Sequence, residues 1–143
     1  MNLMPRASWK NQFYHYESAS KFHNLIRQIF TTDTFFKQLQ CYQEVLVKDL
    51  IPSYAFPQDA VDWFIDEYNI VIEIHGIQHY KMQSFGSTDS YWNQKKNFHN
   101  IKYRDNRKKT ALLDCSYSFL ELSYKEYAKI TPEYLKNKIF YEG

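Results

Sequence analysis

Asp62 and Glu73 are the residues best able to do chemistry in this chain. They lie in the run AVDWFIDEYNIVIEIH, from Ala60 to His75. It reads as a hairpin: two β-rich segments, Ala60 to Ile65 and Ile70 to Ile74, joined by the turn-compatible residues Asp66-Glu67-Tyr68-Asn69. A turn symmetric about Glu67 and Tyr68 sets Trp63 opposite Ile72, Phe64 opposite Val71 and Ile65 opposite Ile70. It also sets Asp62 opposite Glu73. Side chains directly across a hairpin have Cβ atoms about 4.5–5.5 Å apart, and like charges there are destabilising. A divalent cation would offset the repulsion, since Mg²⁺ or Mn²⁺ prefers hard oxygen ligands and is commonly held by one or two carboxylates with water and phosphate. Strand alternation adds His75 to the face of Glu73. Gly76 permits close backbone approach, and Gln78 and His79 follow. Two acids beside an imidazole suit metal-assisted hydrolysis of a phosphodiester, with the Ile74 carbonyl as a further oxygen donor and a histidine exchanging protons near neutral pH. Alternation leaves a plainer arrangement open, in which Asp62 and Glu73 line the solvent side of a sheet and His75 and His79 are surface imidazoles. His15, His23 and His99 have no such company and read as structural or surface residues.

The elements that must position this pair follow from periodicity. Ser18 reads as an N-cap, and Phe22, Leu25, Ile26, Ile29 and Phe30 form one apolar stripe on a helix of about 18 to 30, stopped by Thr31-Thr32-Asp33. Phe36 to Lys48 is aromatic and β-branched and predicts one strand or two short ones, broken by Pro52 and Pro57. A polar loop runs from Gly76 to about Ser90. Trp92 to Asp114 is helical in one or two pieces, Tyr117 to Leu122 is a strand, and Pro132 opens a short helix with Leu135 and Ile139 as its apolar face. Residues 1–16 have no clear period and read as an N-terminal arm. The fold class is α/β in the mixed α+β sense, a small mixed sheet flanked by helices, in a single domain over residues 1–143.

Composition fits one globular domain: 143 residues, 44% hydrophobic and 24% charged, too short for two independent cores. Aromatic residues reach 19%, with 13 Tyr and 11 Phe, which serves a core, a binding surface or both. The net charge of +2 hides an uneven distribution. Residues 1–80 carry 6 Lys/Arg against 9 Asp/Glu, and residues 81–143 carry 12 against 7. Within the basic half, Lys95, Lys96, Lys102, Arg104, Arg107, Lys108 and Lys109 are interrupted by one acid, Asp105. Such a run is either a solvated helix face or a surface that neutralises phosphates, with salt-sensitive affinity. Tyr80, Phe85, Tyr91 and Trp92 either stack against bases or close the core, whereas Trp63, Phe64 and Phe119 read as core. Cys41 and Cys115 lack metal spacing and fit buried thiols in a reducing compartment. No signal-peptide core or membrane-length apolar run is evident, so the expectation is a soluble intracellular protein with no membrane partner.

The run VDWFIDEYNIVIEIHGIQHY resembles the core of the PD-(D/E)xK nuclease superfamily, in particular the very-short-patch-repair (Vsr)-like endonucleases and the phage EDxHD homing endonucleases. Downstream, DNRKKTALLDCSYSFLELSYKEY resembles their Asp-x-x-Lys helix with the strand and aromatic-acidic tail after it. The likeness spans Ala60 to Tyr127. It implies a restriction-endonuclease-like core and a Mg²⁺- or Mn²⁺-dependent deoxyribonuclease, cytoplasmic or nucleoid-associated and of phage type. By the same resemblance Asp62 is the central metal ligand, Glu73 the second acid, His79 the general base with His75 as runner-up, and Asp105 and Lys108 the downstream pair. Gln78, Lys95, Lys96, Lys102, Arg104, Arg107 and Lys109 then face DNA. Two departures stand out: His75 occupies the position where many members have Lys, and the glutamate expected on the N-terminal helix is absent. Lys21 takes its spacing and Glu17, just before the helix, is left as the candidate. A Holliday-junction-type resolvase and a non-catalytic DNA-binding subunit share this fold, and a homodimer or a larger DNA-processing complex fits either.

Overall fold

A computed structural model describes residues 20–76 and 91–141, with side chains from residue 95 onward in the second stretch. The first helix, α1, spans Lys21–Thr32 and is capped by Ser20, whose side chain accepts from the His23 amide. Cap and end are thus both two residues beyond the expected positions. The Thr31 and Thr32 hydroxyls do not break the helix because they donate back to the Arg27 and Gln28 carbonyls. Asp33 ends it instead, its carboxylate accepting from the Phe35 and Phe36 amides. This opens a 3-10 turn at Phe36–Gln38, so the strand β1 is only Cys41–Leu46 and is followed by one helical turn, α2, Val47–Leu50.

The hairpin forms as its sequence indicates. Strand β2 is Ala60–Ile65 and β3 is Ile70–His75, paired antiparallel with Trp63 opposite Ile72, Phe64 opposite Val71 and Ile65 opposite Ile70. A 3-10 turn over Asp66–Tyr68 ends at Asn69, whose left-handed φ of 52° closes the connection. Helix α3 then runs unbroken over Tyr91–Asp114 and returns the chain to β4, Ser118–Ser123, which pairs parallel with β3. A capping box of Ser123 and Glu126 starts a 3-10 segment at Tyr124–Lys129, and α4 covers Pro132–Tyr141. The described residues form a mixed α+β fold around one four-stranded mixed sheet, β1-β2-β3-β4.

Both faces of the sheet are covered. On one, Trp63, Ile65, Ile72 and Leu122 pack with Ile26 and Phe30 of α1 and Leu135 and Ile139 of α4. On the other, Tyr42, Phe64, Val71 and Tyr117 pack with Leu112 of α3. A central strand buried on both sides needs apolar residues at nearly every position, which accounts for the run Ile70–Ile72 and isolates Glu73 and His75 as polar residues inside it. The solvent-side alternative for Glu73 therefore fails, since α3 overlies that face and Glu73 is 5% exposed.

The sheet is interrupted at one level. Glu44 in β1 has a φ of 52°, and the β1–β2 ladder pairs Gln43 with Trp63 and Val45 with Val61 but omits Glu44 and Asp62. Tyr42 and Val45, three residues apart, both pack on the α3 side, as do Phe64 and Val61, so strict alternation breaks at Glu44 and Asp62. Among the described residues, no helix is long and apolar enough to cross a membrane.

Candidate functional site

The site lies where this interruption meets the end of the β2–β3 ladder. Beyond the Trp63–Ile72 pair the strands no longer exchange ladder bonds. The Asp62 carboxylate takes the place of a backbone partner, with Oδ2 accepting from the Ile74 amide at 2.7 Å. Glu73 lies beside it. The third group comes from α3, where Asp105, Lys108 and Leu112 fall at helical spacing on one stripe. Leu112 is fully buried against the sheet, which turns Lys108, one turn earlier, into the space above Glu73. Its Nζ donates to Glu73 Oε1 at 2.8 Å and to the Ala60 carbonyl at 3.0 Å. A buried ammonium is tolerated only with such partners.

A cleft of about 180 Å³ opens here, lined by Glu73, His75, Lys102, Asp105, Lys108 and Glu121 among others. Four of the catalytic candidates, Glu73, His75, Asp105 and Lys108, thus meet in one cavity together with the DNA-binding candidates Lys102 and Lys109, with Asp62 next to Glu73. Burial, followed by the neighbouring Asp62 charge, pushes the Glu73 carboxyl well above the usual carboxylate range, and Lys108 opposes the rise. Glu17, Gln78, His79, Tyr80 and Phe85, with the arm 1–16, lie outside the described residues, as do the side chains of Tyr91 and Trp92.

The basic run divides into distinct environments. Lys95 and Lys96 are exposed on α3. Lys102 borders the cleft, and its ammonium lies 5.8 Å from the Phe98 ring centre. Lys109 is paired with Glu121 at 2.8 Å. Arg107 is held in a fork by Asp59 at 2.8 and 2.7 Å and stacks 3.7 Å above the Phe56 ring. Tyr54 adds a third hydrogen bond to Asp59 at 2.7 Å. Asp59, Tyr54, Phe56 and Glu121 carry no spacing signal in the sequence. Arg107 and Asp59 are 48 positions apart, and only the crossover from β3 to β4 unites them.

Two adjacent carboxylates, one of them buried with its charge opposed by the other, form a donor set that fits Mg²⁺ or Mn²⁺ completed by water and substrate oxygens. Among the described residues no group of three His, Cys, Asp or Glu side chains converges on one metal position. No protein-family model matches the chain, and no curated protein matches it.

Proposed function

We propose that the chain is a divalent-metal-dependent DNA endonuclease of the PD-(D/E)xK type, with its Vsr-like or homing-type character resting on the sequence resemblance. The observation that carries the reading is the meeting of Glu73 and Lys108, from β3 and α3, in a cleft also lined by His75 and Asp105, with Asp62 of β2 beside Glu73. Asp62 and Glu73 would hold the cation, which when bound polarises the phosphate and lowers the pKa of its water. Lys108 fixes the Glu73 carboxylate through Oε1, and its second bond, to Ala60, ties that position to the start of β2. His75, on the same face as Glu73, is the described imidazole placed to accept a proton from attacking water. The exposed cations of α3 supply sequence-independent attraction to the DNA backbone.

The test is cleavage of supercoiled plasmid and of branched DNA with Mg²⁺ or Mn²⁺, comparing the parent protein with Asp62→Asn. Metal-dependent nicking that drops about 100-fold or more in the variant is expected. Undiminished cleavage by Asp62→Asn would sink the site. Marked preference for the branched substrate would select a resolvase. Salt-sensitive binding without any cleavage would select a non-catalytic DNA-binding subunit.

A further inference from the structure

A second, larger cleft of about 630 Å³ lies alongside the first, between residues 56–60 and α3. Its walls include Phe56, Gln58, Asp59, Arg104, Arg107 and Lys108. Lys108 lines both clefts. Of the three cations, Arg107 is paired with Asp59, which the Tyr54 hydroxyl also engages, and Lys108 is paired with Glu73, so among the described residues the uncompensated charge of this cleft is that of Arg104. Arg104, one turn before Arg107 and Lys108, is exposed and has no ion pair among the described residues. Asp59 also holds the Arg107 guanidinium over the Phe56 ring, 3.7 Å from its centre, so the wall joins an aromatic ring to a guanidinium. The volume lies in the range of sites that enclose a small ligand.

We infer that this cleft is a second phosphate subsite, which holds the nucleotide next to the scissile phosphate, with Arg104 as the phosphate ligand and the Phe56–Arg107 stack as the platform for its sugar and base. That the neighbouring phosphate is the scissile one rests on the endonuclease reading, while the subsite itself rests on the cleft. It also divides the basic run by task. Arg107 is a positioning residue that shapes the wall, Lys109 is neutralised by Glu121, and Arg104 makes the anion contact.

The experiment measures binding of a fluorescently labelled DNA duplex by anisotropy, without metal, in an Asp62→Asn background, across a series of NaCl concentrations. Arg104→Ala should weaken binding several-fold at low salt and reduce the slope of log affinity against log salt by about 1, the value for one lost phosphate contact. Arg104→Lys should retain the slope. Phe56→Ala should weaken binding and leave the slope unchanged, because stacking releases no counterions. An unchanged slope and affinity for Arg104→Ala, or no DNA binding by the parent, overturns the subsite. Arg104 is exposed, so thermal unfolding of the variant should match the parent. A lost slope together with no metal-dependent cleavage by the wild type leaves the subsite standing and removes the endonuclease, whereas intact cleavage with an unchanged slope does the reverse.

Discussion

At the scale of single residues, the Lys108–Glu73 pair decides how the site is held. Both side chains are almost wholly buried, so removing one partner strands the other. Lys108→Met is expected to cost about 3 kcal/mol in denaturant unfolding, and Lys108→Met with Glu73→Leu to recover most of it, since an ion pair replaced by apolar groups is often close to neutral. The single variant also carries a pH signature. With Lys108 gone, nothing opposes the upward push of burial and Asp62 on Glu73. The folded state then binds a proton that the unfolded chain releases near pH 4.3, the ordinary value for Glu. Unfolding free energy must therefore fall as pH rises above that value. Stability of Lys108→Met that is level between pH 4 and 8 would contradict this account of Glu73. That Asp62, Glu73, His75 and Lys108 lie near one another was legible in part: two acids facing each other across a turn are an anomaly, alternation adds His75 to the face of Glu73, and Lys108 was marked by the resemblance to an Asp-x-x-Lys helix. The partners Ala60, Asp59 and Glu121 were not legible, because a backbone carbonyl and acids 12 to 48 positions away leave no periodic trace.

At the scale of elements, the hairpin register was readable because apolar runs on either side of a four-residue turn have one symmetric solution. The ends of helices were less readable, since they depend on which side chain captures which amide. The C-terminus of α3 shows why. The Tyr117 amide bonds to the Leu112 carbonyl and the Ser116 amide to that of Leu113, a Schellman closure in which Ser116 takes a φ of 68°. Tyr117 and Leu112 then pack in the same apolar cluster. Glycine is the residue this conformation favours. Ser116→Gly should raise stability by about 0.5–1 kcal/mol in chemical unfolding, and a loss of stability would mean that the serine side chain holds the closure. Glu44 has the same left-handed backbone in the middle of a strand, where the β-rich pattern of Phe36 to Lys48 indicated plain extension. It is the reason the face of Asp62 could not be counted from alternation.

At the scale of the whole molecule, the Asp59–Arg107 fork joins the entrance of β2 to the helix that crosses over to β4. Burial raises the Asp59 carboxyl, but hydrogen bonds from Arg107 and Tyr54 outweigh it and hold the group below its ordinary value. A carboxylate lowered in the folded state contributes stability that is complete above its unfolded pKa, about 3.9, and is lost as pH falls through the folded value. Asp59→Asn should accordingly lower stability at neutral pH and flatten the acid limb of the stability curve below pH 4. An acid limb as steep as that of the parent would assign the acid sensitivity to other carboxylates. Among the described residues the sheet ends at β1 and β4, and open sheet edges offer unpaired backbone groups to any extended chain that meets them. Glu44 blunts one of them. Its left-handed turn bends the outer strand after three residues and leaves an exposed charge at the bend, so a strand from a second molecule finds no straight six-residue template. The same irregularity that frees Asp62 from the ladder thus guards the fold against edge-to-edge aggregation.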